Sequence, residues 1–109
     1  MQSIAVLGST GSIGQNTLDV IARHPDRYRA VALAAHSRID LLEQQILQFR
    51  PDFAVVVDPA AGETLRLRLA DSVDTQILTG GQAIVDIARH PSVETVMAAI
   101  VGEIGRAHV

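Results

Sequence analysis

Short apolar runs alternate along the chain with longer segments in which apolar residues return every three or four positions. Ile4-Ala5-Val6-Leu7 is unbroken and stops at Gly8, the pattern of a strand covered on both faces. The spacing predicts a helix over Ile13 to His24, with Leu18, Ile21 and Ala22 on one face beside Gly14 and Pro25 as the stop. Ala30 to Ala35 is a second strand. Asp40 to Phe49 is a second helix, with Leu41, Leu42, Gln45, Ile46 and Phe49 at helical spacing and Pro51 ending it. Asp40 is also a candidate cap for that helix. Phe53 to Val57 is a β-branched third strand. Asp58-Pro59 then reads as an N-cap followed by the first helical residue. Leu65-Arg66-Leu67-Arg68-Leu69 alternates like a strand, but the cap before it and the one-turn spacing of Leu65 and Leu69 favour a helix. Thr75 to Leu78 is a short fourth strand, and Gly81 to His90 a fourth helix with Ile84, Ile87 and Ala88 inward. Thr95 to Val101 is a fifth strand.

The order is β-α-β-α-β-α-β-α-β. Strands alternating with helices of this length imply parallel strands joined by right-handed crossovers. The expected fold is α/β, a doubly wound parallel sheet of the Rossmann-like kind. Ile21-Ala22-Arg23-His24-Pro25 returns as Ile87-Ala88-Arg89-His90-Pro91. A duplicated ligand site is one reading. The simpler one is two helix ends, where basic residues meet the negative end of the dipole and proline follows.

Composition narrows the function classes. Of 109 residues, 48% are hydrophobic and 19% charged, a globular balance. Cysteine is absent, which excludes a disulfide framework and thiolate metal sites. Every basic residue is Arg, so neither a Schiff-base lysine nor a Walker A loop is present. A net charge of −3 and 3% aromatics argue against nucleic acid as a partner. No run approaches the roughly 20 apolar residues that span a bilayer, and the N-terminus lacks the build of a signal peptide. A cytoplasmic protein with no membrane partner is the expectation. His24, His36, His90 and His108 have no metal-ligand spacing, and no Asp/Glu cluster suits a hard cation. No G-x-S-x-G elbow offers a serine nucleophile.

Gly8-Ser9-Thr10-Gly11-Ser12-Ile13-Gly14 follows the first strand and opens the first helix. In that context a glycine loop is a phosphate cradle. Its G-x-x-G-x-x-G spacing is one residue longer at the start than the usual dinucleotide fingerprint. Gly8 suits the sharp turn, Gly11 the close approach of a pyrophosphate, and Gly14 the packing of helix on sheet. Backbone N–H groups of Thr10 to Ile13 are expected to face the anion, with Ser9, Thr10 and Ser12 adding hydroxyl donors. A glycine-rich turn without a ligand is the plainer alternative.

The second strand ends Ala34-Ala35-His36-Ser37-Arg38. NAD sites place a carboxylate near this position for the ribose 2′-hydroxyl. Here a hydroxyl, an imidazole and a guanidinium stand instead, and Arg38 suits the 2′-phosphate of NADP(H). A solvated surface charge is the alternative for Arg38. Asp40 is the main argument for NAD, although it is expected to face its own helix.

Leu7 to Gly14, followed by Thr17-Leu18-Asp19-Val20, resembles the start of the 1-deoxy-D-xylulose 5-phosphate reductoisomerase family. Val96-Met97-Ala98-Ala99-Ile100-Val101-Gly102 is similar to that family's fifth-strand motif, and the resemblance covers residues 3 to 102. It implies an enzyme of the non-mevalonate isoprenoid pathway. The family rearranges the phosphosugar 1-deoxy-D-xylulose 5-phosphate and reduces the product with NADPH to 2-C-methyl-D-erythritol 4-phosphate. Mg²⁺ or Mn²⁺ acts as the Lewis acid, on ligands beyond this chain. The resemblance makes Thr10, Gly11, Ser12 and Ile13 the cofactor loop and implies a homodimer for the full-length form. The family often has a triplet such as Gly-Lys-Asn where this chain has His36-Ser37-Arg38, which stays non-acidic. On this reading residues 1–102 are an incomplete NADPH-binding domain that is inactive alone and prone to associate through an open strand edge. Residues 103–109 depart from the family's continuation and back-translate to a common sequencing-adaptor read, so they are expected to be an artefact. The glycine loop also suits cofactor domains of semialdehyde dehydrogenases and short-chain reductases. A non-catalytic NADP-binding module is the reading from outside the enzymes.

Overall fold

The computed structural model describes residues 1–98. Nine elements alternate: β1 Gln2–Leu7, α1 Ser12–Arg23, β2 Tyr28–Ala35, α2 Ile39–Phe49, β3 Phe53–Val56, α3 Pro59–Leu69, β4 Gln76–Thr79, α4 Gly81–Ala88 and β5 Thr95–Ala98. The expected continuation of the fifth strand through Val101, and the stretch 103–109, lie outside the described residues. All five strands are parallel, in the order β4-β3-β2-β1-β5.

This order explains how the helices divide. Right-handed crossovers from β1 outward to β4 travel in one direction and place α1, α2 and α3 on one face. The return from β4 past β1 to β5 reverses the travel and drops α4 on the other face, where it packs on β1 and β3. The strand alternation matches. Ile4, Val6, Leu33 and Val56 meet Leu18, Leu42, Ile46 and Leu65 on the first face. Ala5, Leu7, Ala32, Ala34 and Val55 meet Ala83 and Ile87 on the second. The small residues of β1 and β2 let α4 lie close to the sheet. The point where the strand order reverses, between β1 and β5, is where an open α/β sheet forms its ligand crevice.

Local chemistry accounts for the ends of the elements. Asp58 accepts a hydrogen bond from the Ala60 N–H at 3.2 Å, with Pro59 in the first turn, as the sequence predicts. Within α3, Leu65 and Leu69 are buried while Leu67 is exposed, which settles the ambiguous Leu-Arg alternation as a helix. Gly62 lets α3 approach β4, because a Cβ there would collide with Thr79 Cγ2. Asp40 does not cap α2, whose N-cap is Arg38 with no side-chain cap bond. Its carboxylate instead reaches across to Arg68 of α3 at 2.7 Å, and that hydrogen bond holds the Arg68 guanidinium pKa above its ordinary value.

Ala22 is exposed, contrary to the expected inward face of α1, whose buried residues are Gly14, Leu18 and Ile21. The fourth helix stops at Ala88, so Arg89 is its C-cap and His90 lies beyond it. His90 Nδ1 instead accepts from the Ser92 N–H at 3.1 Å. Among the described residues β5 pairs only with β1, and Val96 and Met97 are 38% and 42% exposed. No helix among them is long and apolar enough to cross a membrane.

Candidate functional site

Parallel strands bring their C-terminal ends to one edge of the sheet, and the glycine loop sits there between β1 and α1. Leu7 pairs with Ala34 on one side and Ala98 on the other, so the ends of β2 and β5 flank the loop. The turn out of β1 is tight. Gly8 has φ +79°, which glycine adopts freely. The Gly8 and Ser9 N–H groups both donate to the Ala34 carbonyl, at 2.8 and 3.0 Å. The Gly11 N–H closes back on the Gly8 carbonyl at 3.1 Å.

The three glycines carry different demands. Gly14 is buried against the turn, where a Cβ would collide with the Gly8 carbonyl oxygen and come within 2.7 Å of Ser9 Cα. Its lack of a side chain is what lets α1 start directly on the strand end. Gly11 is exposed, with an ordinary extended backbone at φ −78° and ψ 171°. Among the described residues, a Cβ there would meet only the Gly8 carbonyl oxygen, at 3.6 Å. The fold therefore makes no demand for glycine at 11. The missing side chain clears space on the outer side of the loop.

Around it, the backbone N–H groups of Thr10, Ser12, Ile13 and Gly14 have no protein acceptor among the described residues. Three of them open α1, where the helix dipole adds positive potential. Thr10 is 8% exposed, and its hydroxyl has no protein partner among the described residues. A polar group without an internal partner is open to an outside one. Two details of the sequence reading change. The Gly11 N–H belongs to the turn and is not presented outward, while that of Gly14 joins the set. Ser9 is fully buried with its hydroxyl donating to Gln45 Oε1 at 2.8 Å, so it is not a donor to a ligand. Ser12 is exposed at the mouth, and its hydroxyl has no protein partner among the described residues.

His36, Ser37 and Arg38 follow β2 and are all exposed beside the loop. Arg38 Nη1 donates to the Thr10 carbonyl at 3.2 Å, and Gln15 Nε2 donates to the same oxygen at 3.0 Å. A guanidinium is thereby anchored at the loop's edge with further N–H groups available. His36 contributes its carbonyl to the Asp58 N–H at 2.9 Å, which fixes the strand end. Asp40, the acidic residue two positions on, is paired with Arg68, and no carboxylate among the described residues forms an ion pair with Arg38. The donor set fits a diphosphate with a further phosphate nearby. No group of three His, Asp or Glu residues among those described could hold a metal ion.

The model of the 1-deoxy-D-xylulose 5-phosphate reductoisomerase family matches residues 4–108. The chain belongs to that family. Reductoisomerases from Dechloromonas aromatica and Aromatoleum aromaticum are 52% and 53% identical to it over 106 and 108 residues. These alignments cover 96% and 98% of the chain but 27% of each relative, so the chain spans little more than a quarter of their length. A crystal structure of DOX-P reductoisomerase in complex with NADPH, fosmidomycin and magnesium superposes with a TM-score of 0.88 at 43% identity, over 94% of this chain and 25% of that one. The Zymomonas mobilis enzyme in complex with NADPH gives 0.84 at 35%, over 93% and 26%. The family match displaces the semialdehyde-dehydrogenase and short-chain-reductase alternatives. It also runs into residues 103–108, the stretch expected from the sequence to be foreign.

Proposed function

We propose that this chain is the NADPH-holding part of a 1-deoxy-D-xylulose 5-phosphate reductoisomerase, which converts that phosphosugar to 2-C-methyl-D-erythritol 4-phosphate. The observation that carries the reading is the row of unpartnered N–H groups at Thr10, Ser12, Ile13 and Gly14 beside the anchored guanidinium of Arg38. The row would hold the diphosphate. Gly11 leaves it room, and the hydroxyls of Thr10 and Ser12 add donors. Arg38, with Ser37 and His36 beside it, would hold the 2′-phosphate, where a fork of N–H groups suits the anion. NADPH supplies a hydride when bound. The residues here would bind and orient it, and the Mg²⁺ or Mn²⁺ of the whole enzyme would rest on ligands outside this chain. Residues 1–102 form the proposed cofactor unit. A homodimeric whole enzyme in the cytoplasm, with no nucleic-acid or membrane partner, completes the proposal.

Fluorescence titration of the chain with NADPH and NADH tests the reading. NADPH is expected to bind at least about tenfold more tightly, since hydrogen bonds to a charged group contribute about 1.5–3 kcal/mol. Arg38→Ala is expected to remove that preference by weakening NADPH alone. Equal affinities in the unmodified chain, or an Arg38→Ala variant that keeps its preference, would overturn it. Addition of 1-deoxy-D-xylulose 5-phosphate and Mg²⁺ is expected to give no oxidation of NADPH by this chain alone.

A further inference from the structure

Gln45 stands in the second turn of α2, between Leu42 and Ile46, which are fully buried. It is itself only 6% exposed. A glutamine in an apolar stripe needs partners for both ends of its amide, and both lie 36 residues away on Ser9. Gln45 Nε2 donates to the Ser9 carbonyl at 2.8 Å, and the Ser9 hydroxyl donates to Gln45 Oε1 at 2.8 Å. Ser9 is therefore held at every polar atom, because its N–H is already on the Ala34 carbonyl.

The consequence reaches the next residue. A peptide unit is planar and trans, so its C=O and N–H point in opposite directions. The Ser9–Thr10 peptide has its carbonyl drawn toward α2 by Gln45, which turns the Thr10 N–H away from α2, to the outer side of the loop. Thr10 N–H is one of the four unpartnered donors. We infer that Gln45 is a positioning residue: by gripping the Ser9 carbonyl it aims the Thr10 N–H at the cofactor diphosphate. This deepens the proposed NADPH site and rests on it. The Ser9 hydroxyl contributes less, since it steadies the Gln45 amide without touching the peptide's direction.

Gln45→Leu keeps the size of the side chain and removes both hydrogen bonds. NADPH affinity is expected to fall about tenfold or more, the worth of one hydrogen bond to a charged group. Ser9→Ala leaves the grip on the carbonyl and is expected to change affinity by less than about threefold. The readout that separates positioning from general loosening is a fragment ligand. Adenosine 2′-monophosphate carries the 2′-phosphate but no diphosphate, so its affinity for Gln45→Leu is expected to match that of the unmodified chain. ADP-ribose, which has the diphosphate, is expected to weaken along with NADPH. Folding of each variant is followed by circular dichroism, and Gln45→Met replaces Gln45→Leu if the latter does not fold. NADPH and ADP-ribose binding unchanged in a folded Gln45 variant overturns the inference, and so does an equal loss for all three ligands. Absence of NADPH binding in the unmodified chain instead defeats the cofactor reading beneath it.

Discussion

Gly11→Ala is expected to fold like the unmodified chain and to lose NADPH binding by at least about 100-fold. The backbone at Gly11 has a conformation open to any residue, and the new methyl group meets only one carbonyl oxygen, at ordinary contact distance. Nothing among the described residues resists the change. The cost arises when a diphosphate approaches. The methyl group then occupies the space that lets phosphate oxygens reach the N–H groups around it. Losing two hydrogen bonds to a charged group, at about 1.5–3 kcal/mol each, accounts for that loss. Thermal melting together with NADPH titration checks both halves. An unchanged affinity would mean that the ligand does not pass over Gly11, and a large drop in melting temperature would mean that the glycine serves the fold.

Gly14→Ala is expected to do the opposite in order of cause, destabilising the chain before any ligand is considered. Its Cβ would run into backbone, the Gly8 carbonyl and Ser9 Cα, and those atoms have little freedom to yield. Gly8 and Ser9 are tied to Ala34, and Ser9 is tied again to Gln45. Relief requires α1 to move off the strand end. Overpacking of this kind costs roughly 1–3 kcal/mol. In a domain of this size that lowers the melting temperature by roughly 5–20 °C. Loss of NADPH binding follows from the moved helix. A Gly14→Ala chain that melts with the unmodified one would contradict the packing described for the loop.

Much of this was legible in the residues. Short unbroken apolar runs and period-3.6 patterning, together with Gly8, Pro25, Pro51 and Asp58-Pro59, placed all nine elements, because each local preference agreed with the fold. The glycine loop was legible because its function needs backbone, and the backbone's freedom is written as glycine. What escaped depends on distant partners. Periodicity put Gln45 on the apolar face of its helix but could not say that Ser9 waits there. The odd polar residue in that stripe was the available sign, and it also meant that Ser9 was not free for a ligand. Asp40 looked like a cap because its position in the first turn suits one, yet the packing of α2 on α3 offered Arg68 instead. The strand order β4-β3-β2-β1-β5 was likewise beyond reach, since right-handed crossovers fix the side on which a helix falls but not which strand the chain returns to.

Nuclear magnetic resonance of the ¹⁵N-labelled chain during NADPH titration examines the loop amide by amide. The amide signals of Thr10, Ser12, Ile13 and Gly14 are expected to move together and most strongly, with the Arg38 side chain following NADPH and not NADH. Saturable NADPH binding that leaves those four amides in place, and shifts another part of the sheet edge, would contradict the site.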